Sequence, residues 1–156
     1  MRPRDRLWIL IADGEHARIA VPGVAGGSFQ TQWEVDSAAA HRRSRDLGTD
    51  KPGRGFESGD GTRHAIAPKH DPHTLEKQRF EHFIAERLNA AAAQAAFDQL
   101  VLVAPAQAMH EIRQRMDQTT AQKLAGTLTK DLTKLPDHAL GPHLVQWTEP
   151  DRQEEN

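Results

Sequence analysis

The chain has no cysteine and no tyrosine. The first absence removes disulfides, thiolate nucleophiles and cysteine zinc sites, and it fits a reducing compartment. The second, with aromatic residues at 5% of the whole, leaves few rings on which nucleic-acid bases could stack. No apolar run approaches the roughly 18 residues of a spanning helix. The charged start, residues 1–6, is followed by an apolar stretch too short for a signal sequence, so a soluble, cytoplasmic protein is expected. A strong charge of one sign is also missing. With 20 basic and 22 acidic residues the net charge is -2, and any affinity for nucleic acid or an anionic surface has to be local. A length of 156 residues suits one core, and the expected organisation is a single domain over residues 1–147 with a frayed polar tail at 148–156.

What is present is a set of well-marked apolar segments. Between Thr74 and Ala96, apolar residues fall at Phe80, Phe83, Ile84, Leu88, Ala91, Ala92 and Ala95, spacings of three and four that predict one long amphipathic helix. Asp71 and Pro72 mark its start, as a capping oxygen and a ring already fixed at helical φ. Residues 100–104, Leu-Val-Leu-Val-Ala, form a short apolar run closed by Pro105, which reads as a strand buried on both faces. Residues 7–12, Leu-Trp-Ile-Leu-Ile-Ala, are its natural parallel partner, because a helix running into a buried strand is half of a crossover unit. After the turn signal Asp13-Gly14, residues 17–22 and 28–36 complete an antiparallel meander, with Trp33 and Val35 on one face. Ala108, Met109, Ile112 and Met116 predict a helix over 106–116, and 124–132 a fifth strand. Thr133 and Pro136 open a final helix that Gly141-Pro142 should interrupt. The expected fold is three-layer α/β with a mixed five-stranded sheet.

Residues 37–70 show no such pattern and are expected to be a long mobile loop. Arg42, Arg43, Arg45, Lys51, Arg54, Arg63 and Lys69 face five acidic residues over 37–71, a local positive excess in an acidic chain. Glycines let a backbone approach a partner closely, and Arg54, Arg63, His64 and Lys69 are the side chains suited to phosphate. They are the candidate nucleic-acid-binding residues, beside the start of the long helix, whose N-terminus also favours an anion.

Other chemistries have weaker support. His64, His70 and His73 with Asp71 suggest zinc, but their spacing matches no closed motif, and no metal or other cofactor is expected. His82 and Glu86, one turn apart, more simply mark a wet helix face. A two-metal nuclease would need carboxylates to converge. Asp13 ends the first strand and Glu76 or Glu81 could approach it, but Ala104-Pro105 offers no acid. Ser58 and His64 share a loop with Glu57 and Asp60, without the strand-turn-helix setting of a nucleophile elbow.

Several blocks, in order, carry a resemblance: Trp8-Ile-Leu-Ile-Ala-Asp13 with Ala17-Arg-Ile19; Arg63-His64-Ala65 with Pro68 and Asp71-Pro72-His73; residues 97–105; and Lys130-Asp-Leu-Thr-Lys-Leu-Pro136. Together they resemble the bacterial host attachment protein family, which is similar to the central domain of archaeal and eukaryotic peptide-chain release factors. The resemblance implies a ribonuclease-H-like fold with sheet order 3-2-1-4-5. In release factors the loop before the long helix carries Gly-Gly-Gln, which enters the peptidyl-transferase centre. Here no Gly-Gly-Gln occurs, and the Gly26-Gly27 pair lies in a hairpin before Ser28. The expectation is therefore a non-catalytic binding module for a ribosomal, tRNA or other RNA partner, reached through the 37–70 loop. The alternative is a hydrolase, of peptidyl-tRNA esters or a small substrate, using residues 54–64.

Overall fold

An apolar run with no polar interruption must be covered on both sides, and the two such runs here lie side by side in the middle of the sheet. The computed structural model describes residues 6–24, 26–46 and 72–148, with the side chains of 42–46 and 148 left aside. In chain order it contains β1 (Leu7–Ala12), β2 (His16–Pro22), β3 (Phe29–Asp36), α1 (Ser37–Asp46), α2 (Pro72–Ala93), β4 (Gln99–Val103), α3 (Ala106–Arg115), α4 (Gln118–Gln122), β5 (Leu124–Leu128), a 3-10 turn (Asp137–Ala139) and α5 (Gly141–Thr148). The sheet order is β3-β2-β1-β4-β5. β1, β2 and β3 form the antiparallel meander, while β4 and β5 continue it in parallel. That order and those directions are the ribonuclease-H-like arrangement, in three α/β layers.

Alternation along the two central strands divides the core. Leu10 of β1 and Leu100 and Leu102 of β4 face a helical layer, packing with Phe80, Ile84 and Leu88 of α2 and Ile112 of α3. Ile9 and Ile11, with Val101 and Val103, face the opposite side, where Leu132, Leu140 and Leu144 cover them. This second cover is mostly irregular, so its backbone groups need partners from elsewhere. Arg18 of β2 donates through Nη2 to the carbonyls of Leu132, at 3.4 Å, and Leu135. The Asp137 carboxylate accepts from the Thr31 backbone N–H at 2.9 Å and from its hydroxyl at 2.6 Å.

Both edge strands change sides. The register passes from Ile19 opposite Trp33 to Ala20 opposite Thr31, leaving Gln32 as an extra residue. It passes likewise from Leu100 opposite Leu124 to Val101 opposite Gly126, leaving Ala125 extra. Each bulge reverses the alternation. Val35 and Trp33 therefore face the helical layer, as the sequence predicts, while Phe29, in phase with them by alternation, packs on the other side.

Four expectations need correction. The loop expected over 37–70 does not begin at Ser37: residues 37–46 form α1. Asp36 caps it, accepting from the Ala39 N–H at 2.8 Å, and the alanines that follow are strong helix formers with no apolar period to betray them. Residues 47–70 lie outside the described residues. The long helix begins at Pro72 and ends earlier than expected, in a Schellman turn. The Ala96 N–H donates to the Ala91 carbonyl, the Ala95 N–H donates to the Ala92 carbonyl, and Ala95 takes φ 57°. The fifth strand stops at Leu128. Finally, Gly141-Pro142 opens the last helix instead of interrupting one, since proline in a first turn forfeits no hydrogen bond.

Candidate functional site at the carboxyl ends of the strands

β1 ends at Ala12, and the next residue builds the turn into β2. Asp13 Oδ1 accepts from the backbone N–H groups of Glu15 and His16, each at 2.7 Å, an Asx turn that fixes the direction of its carboxylate. Gly14 leaves room for the stem of Lys77, since a Cβ there would lie 2.7 Å from Lys77 Cγ. From the far side of the sheet, the segment after β5 brings Asp131 and Thr133. Thr133 Oγ1 lies 2.7 Å from Asp131 Oδ1 and 3.1 Å from Asp13 Oδ2. A hydroxyl has one proton, so it donates to one of these two carboxylates at a time. The Thr133 hydroxyl and backbone N–H hold the Asp131 carboxyl below its ordinary range.

The other wall comes from α2 and from the start of α3. Glu81, one turn after Lys77, is completely buried. Gln107 Nε2 donates to its Oε1 at 3.2 Å, while its Oε2 has no hydrogen-bond partner. Burial, with further repulsion from Glu111 and Asp13, pushes this carboxyl up from 4.5 to about 7. A cleft of about 300 Å³ opens between these groups, lined by Asp13, Gly14, Lys77, Pro105, Gln107 and Asp131 among others. A wider depression of about 820 Å³ adjoins it, where His16, Asp36, His41, His73 and Glu76 surround the starts of α1 and α2.

The candidate residues Arg54, Arg63, His64 and Lys69 all lie outside the described residues, as do Ser58, His70 and Asp71. His73 and Glu76 are exposed. His82 does not share a site with Glu86; its Nε2 stands 3.0 Å from Glu111 Oε1 in α3, whereas Glu86 Oε2 meets Arg115 Nη1 at 3.7 Å. Among the described residues no group of three His, Asp or Glu is placed to hold a metal ion, and no helix is long and apolar enough to cross a membrane. Of the possible nuclease carboxylates, Asp13 and Glu81 do approach one another. Asp131 and Thr133, the second of which ties the first to Asp13, and Gln107, which lines the cleft with Asp131, are not marked as site residues by the sequence. The block from Lys130 to Pro136 carried part of the family resemblance, which was the one signal that could have marked the first two.

Two solved structures show a distant similarity to this chain. An archaeal translation termination factor, aRF1, gives a TM-score of 0.46 at 12% identity, covering 99% of this chain and 42% of that one. The type II variant of the Aquifex aeolicus Ppx/GppA phosphatase gives 0.36 at 7% identity, over 80% and 35%. The chain thus spans less than half the length of either. No curated protein matches the sequence. Residues 8–144, nearly the whole α/β unit including the cleft, match the family described as "Protein required for attachment to host cells", and the chain belongs to that family.

Proposed function

We propose that this protein is a non-catalytic binding module for an RNA-containing partner, ribosomal or tRNA, in a cytoplasmic setting, with Arg54, Arg63, His64 and Lys69 as the contacting side chains. The observation that supports the reading is what stands where the described chain resumes after them: Pro72, the first residue of the 22-residue helix α2, lines the wide depression at the carboxyl ends of the strands. The rim itself holds Glu15, Asp36 and Glu76 against Lys77, so phosphate affinity has to come from the arginines and lysine themselves, reinforced by the α2 N-terminus. Neutralising about three phosphates on a single strand gives a log-log salt slope near -2. The test replaces Arg54, Arg63 and Lys69 together by Ala and follows tRNA and ribosome binding across a salt series. Affinity and slope should both fall in a variant that remains folded; if neither changes, the reading is wrong.

A hydrolase is the second reading, and the observation in its favour is Glu81, a buried carboxyl whose proton leaves near neutrality, as a general acid or base requires. Release of aminoacyl or peptidyl ester by the purified protein, abolished in Glu81→Gln, would select it.

A further inference from the structure

A polar seam joins α2 to α3, well secured at one end and thin at the other. At the far end Asn89 holds three groups. Its Nδ2 donates to the Arg115 carbonyl at 2.9 Å, and its Oδ1 accepts from the Asp117 N–H at 3.0 Å and from the Thr120 hydroxyl at 2.7 Å. In the middle Glu111 meets His82 Nε2 at 3.0 Å and Gln78 Nε2 at 3.5 Å. Among the described residues, the first turn of α3 has a single side-chain hydrogen bond to α2, from Gln107 Nε2 to Glu81 Oε1. No side chain caps that turn, and the Met109 N–H closes it on the Pro105 carbonyl at 2.8 Å.

Glu81 makes this tie conditional. Its side chain is out of water, its Oε2 has no partner, and among the described residues it forms no ion pair. The charged groups that face it are Lys77 from its own helix, Glu111 from α3 and Asp13 from the turn after β1, two acids against one base. A neutral carboxyl with one amide donor is tolerated there, but a carboxylate needs further donors or water. The middle of a 22-residue helix cannot yield to admit them. The start of α3 can, because Ala106 and Gln107 are exposed and the only buried side chain of α3 ahead of Met109 is that of Ala108.

We propose that the first turn of α3 is a pH-sensitive flap on the small cleft, latched by Gln107 to the neutral Glu81 side chain and released when Glu81 loses its proton. Pro105, Gln107 and Ala108 line that cleft, so fraying of the turn widens it and acid closes it again. Burial, opposed by the Gln107 hydrogen bond and aided by Glu111, raises the Glu81 carboxyl to about 7, which sets release near neutrality. The closed turn favours the protonated form, so it is populated below that pH and lost above it. The flap needs neither RNA binding nor ester hydrolysis, since Glu81 acts on Gln107 and not on a ligand.

The experiment follows amide exchange of the full chain by NMR from about pH 5.5 to about pH 8.5, with rates corrected for the intrinsic pH dependence of exchange. Protection of the Met109 N–H should fall at least about tenfold across that range, while protection of the Asp117 N–H, at the Asn89 end of the seam, stays level. In Glu81→Gln, whose side-chain oxygen still accepts from Gln107, Met109 protection should be high and independent of pH. Gln107→Ala cuts the latch and leaves the carboxyl, so Met109 should be weakly protected at both ends of the range. Four results would each overturn the flap: wild-type Met109 protection that ignores pH, the same fall in Glu81→Gln, full protection in Gln107→Ala, or a parallel fall at Asp117, which marks loosening of the whole domain.

Discussion

The two faces of the sheet are covered by different physical means. On one, α2 and α3 satisfy their own backbones and contribute an apolar surface, so what holds them is side-chain packing. On the other, between β5 and α5, the chain runs irregularly, and it is tied down by Arg18, which donates to the Leu135 carbonyl, and by its own Asp137, whose carboxylate accepts from the Thr31 N–H, each across more than 100 residues of sequence. Regular structure needs only burial to be held in place; irregular structure needs burial and specific polar partners. The exception sharpens the rule, since the helical face is also where the one buried carboxyl, Glu81, lies among the described residues.

Substitution can break this contrast. The largest effect is expected from Leu88→Ala, at about 4 kcal/mol by chemical denaturation, because the ladder of α2 cannot collapse around the void. Leu144, also fully buried, sits in an eight-residue helix that can settle, and Leu144→Ala should cost about 2 to 3 kcal/mol. Equal costs would mean that the second face is as rigid as the first. Next comes Arg18→Met, which keeps an apolar stem but removes a charged donor from two carbonyls. A loss of about 2 kcal/mol is expected, with faster amide exchange confined to residues 130–137. No loss would remove the polar pins from the account.

The smallest effect has the opposite sign. Glu81 is neutral in both folded and unfolded chains below about pH 4.5. Between there and about pH 7 the native state keeps a proton that the unfolded state releases, so stability falls as pH rises, and above that the loss is complete. Glu81→Gln retains the Gln107 hydrogen bond, and it should be more stable than wild type by about 1 to 2 kcal/mol near pH 8 and equal to it near pH 4.5. A constant difference across that range would show that Glu81 is not held protonated by burial.

The same contrast decides what was legible in the sequence. β1, β4 and most of α2 are readable because burial imposes a period on neighbouring residues, and the parallel pairing of β1 with β4 follows from the crossover, whereas the full sheet order comes from the family resemblance. The stripe was misjudged only in detail. The buried line runs through Phe80, Glu81, Ile84, Ala85, Leu88 and Ala92, with Phe83 partly exposed and Ala95 outside the helix, because an acid at a core phase reads as solvent-facing. α4 was missed for its length, although Asp117, whose side chain accepts from the Thr120 N–H, is a cap that could have marked it. The cleft was half legible: Asp13 follows a strand, but Gln107, Asp131 and Thr133 reach it from two other connections, and no local pattern encodes such a meeting.

The paired bulges have a consequence for the protein as a crowded solute. A sheet that ends in two flat strands invites a second copy to add on at either side and a third beyond that. Here the outermost strands, β3 and β5, each carry one surplus residue, at Gln32 and Ala125, which breaks the evenly spaced row of donors and acceptors that an incoming strand would need. The same irregularity that lets each border strand feed both halves of the core thus makes it a poor template, and it guards the chain against growing into fibres.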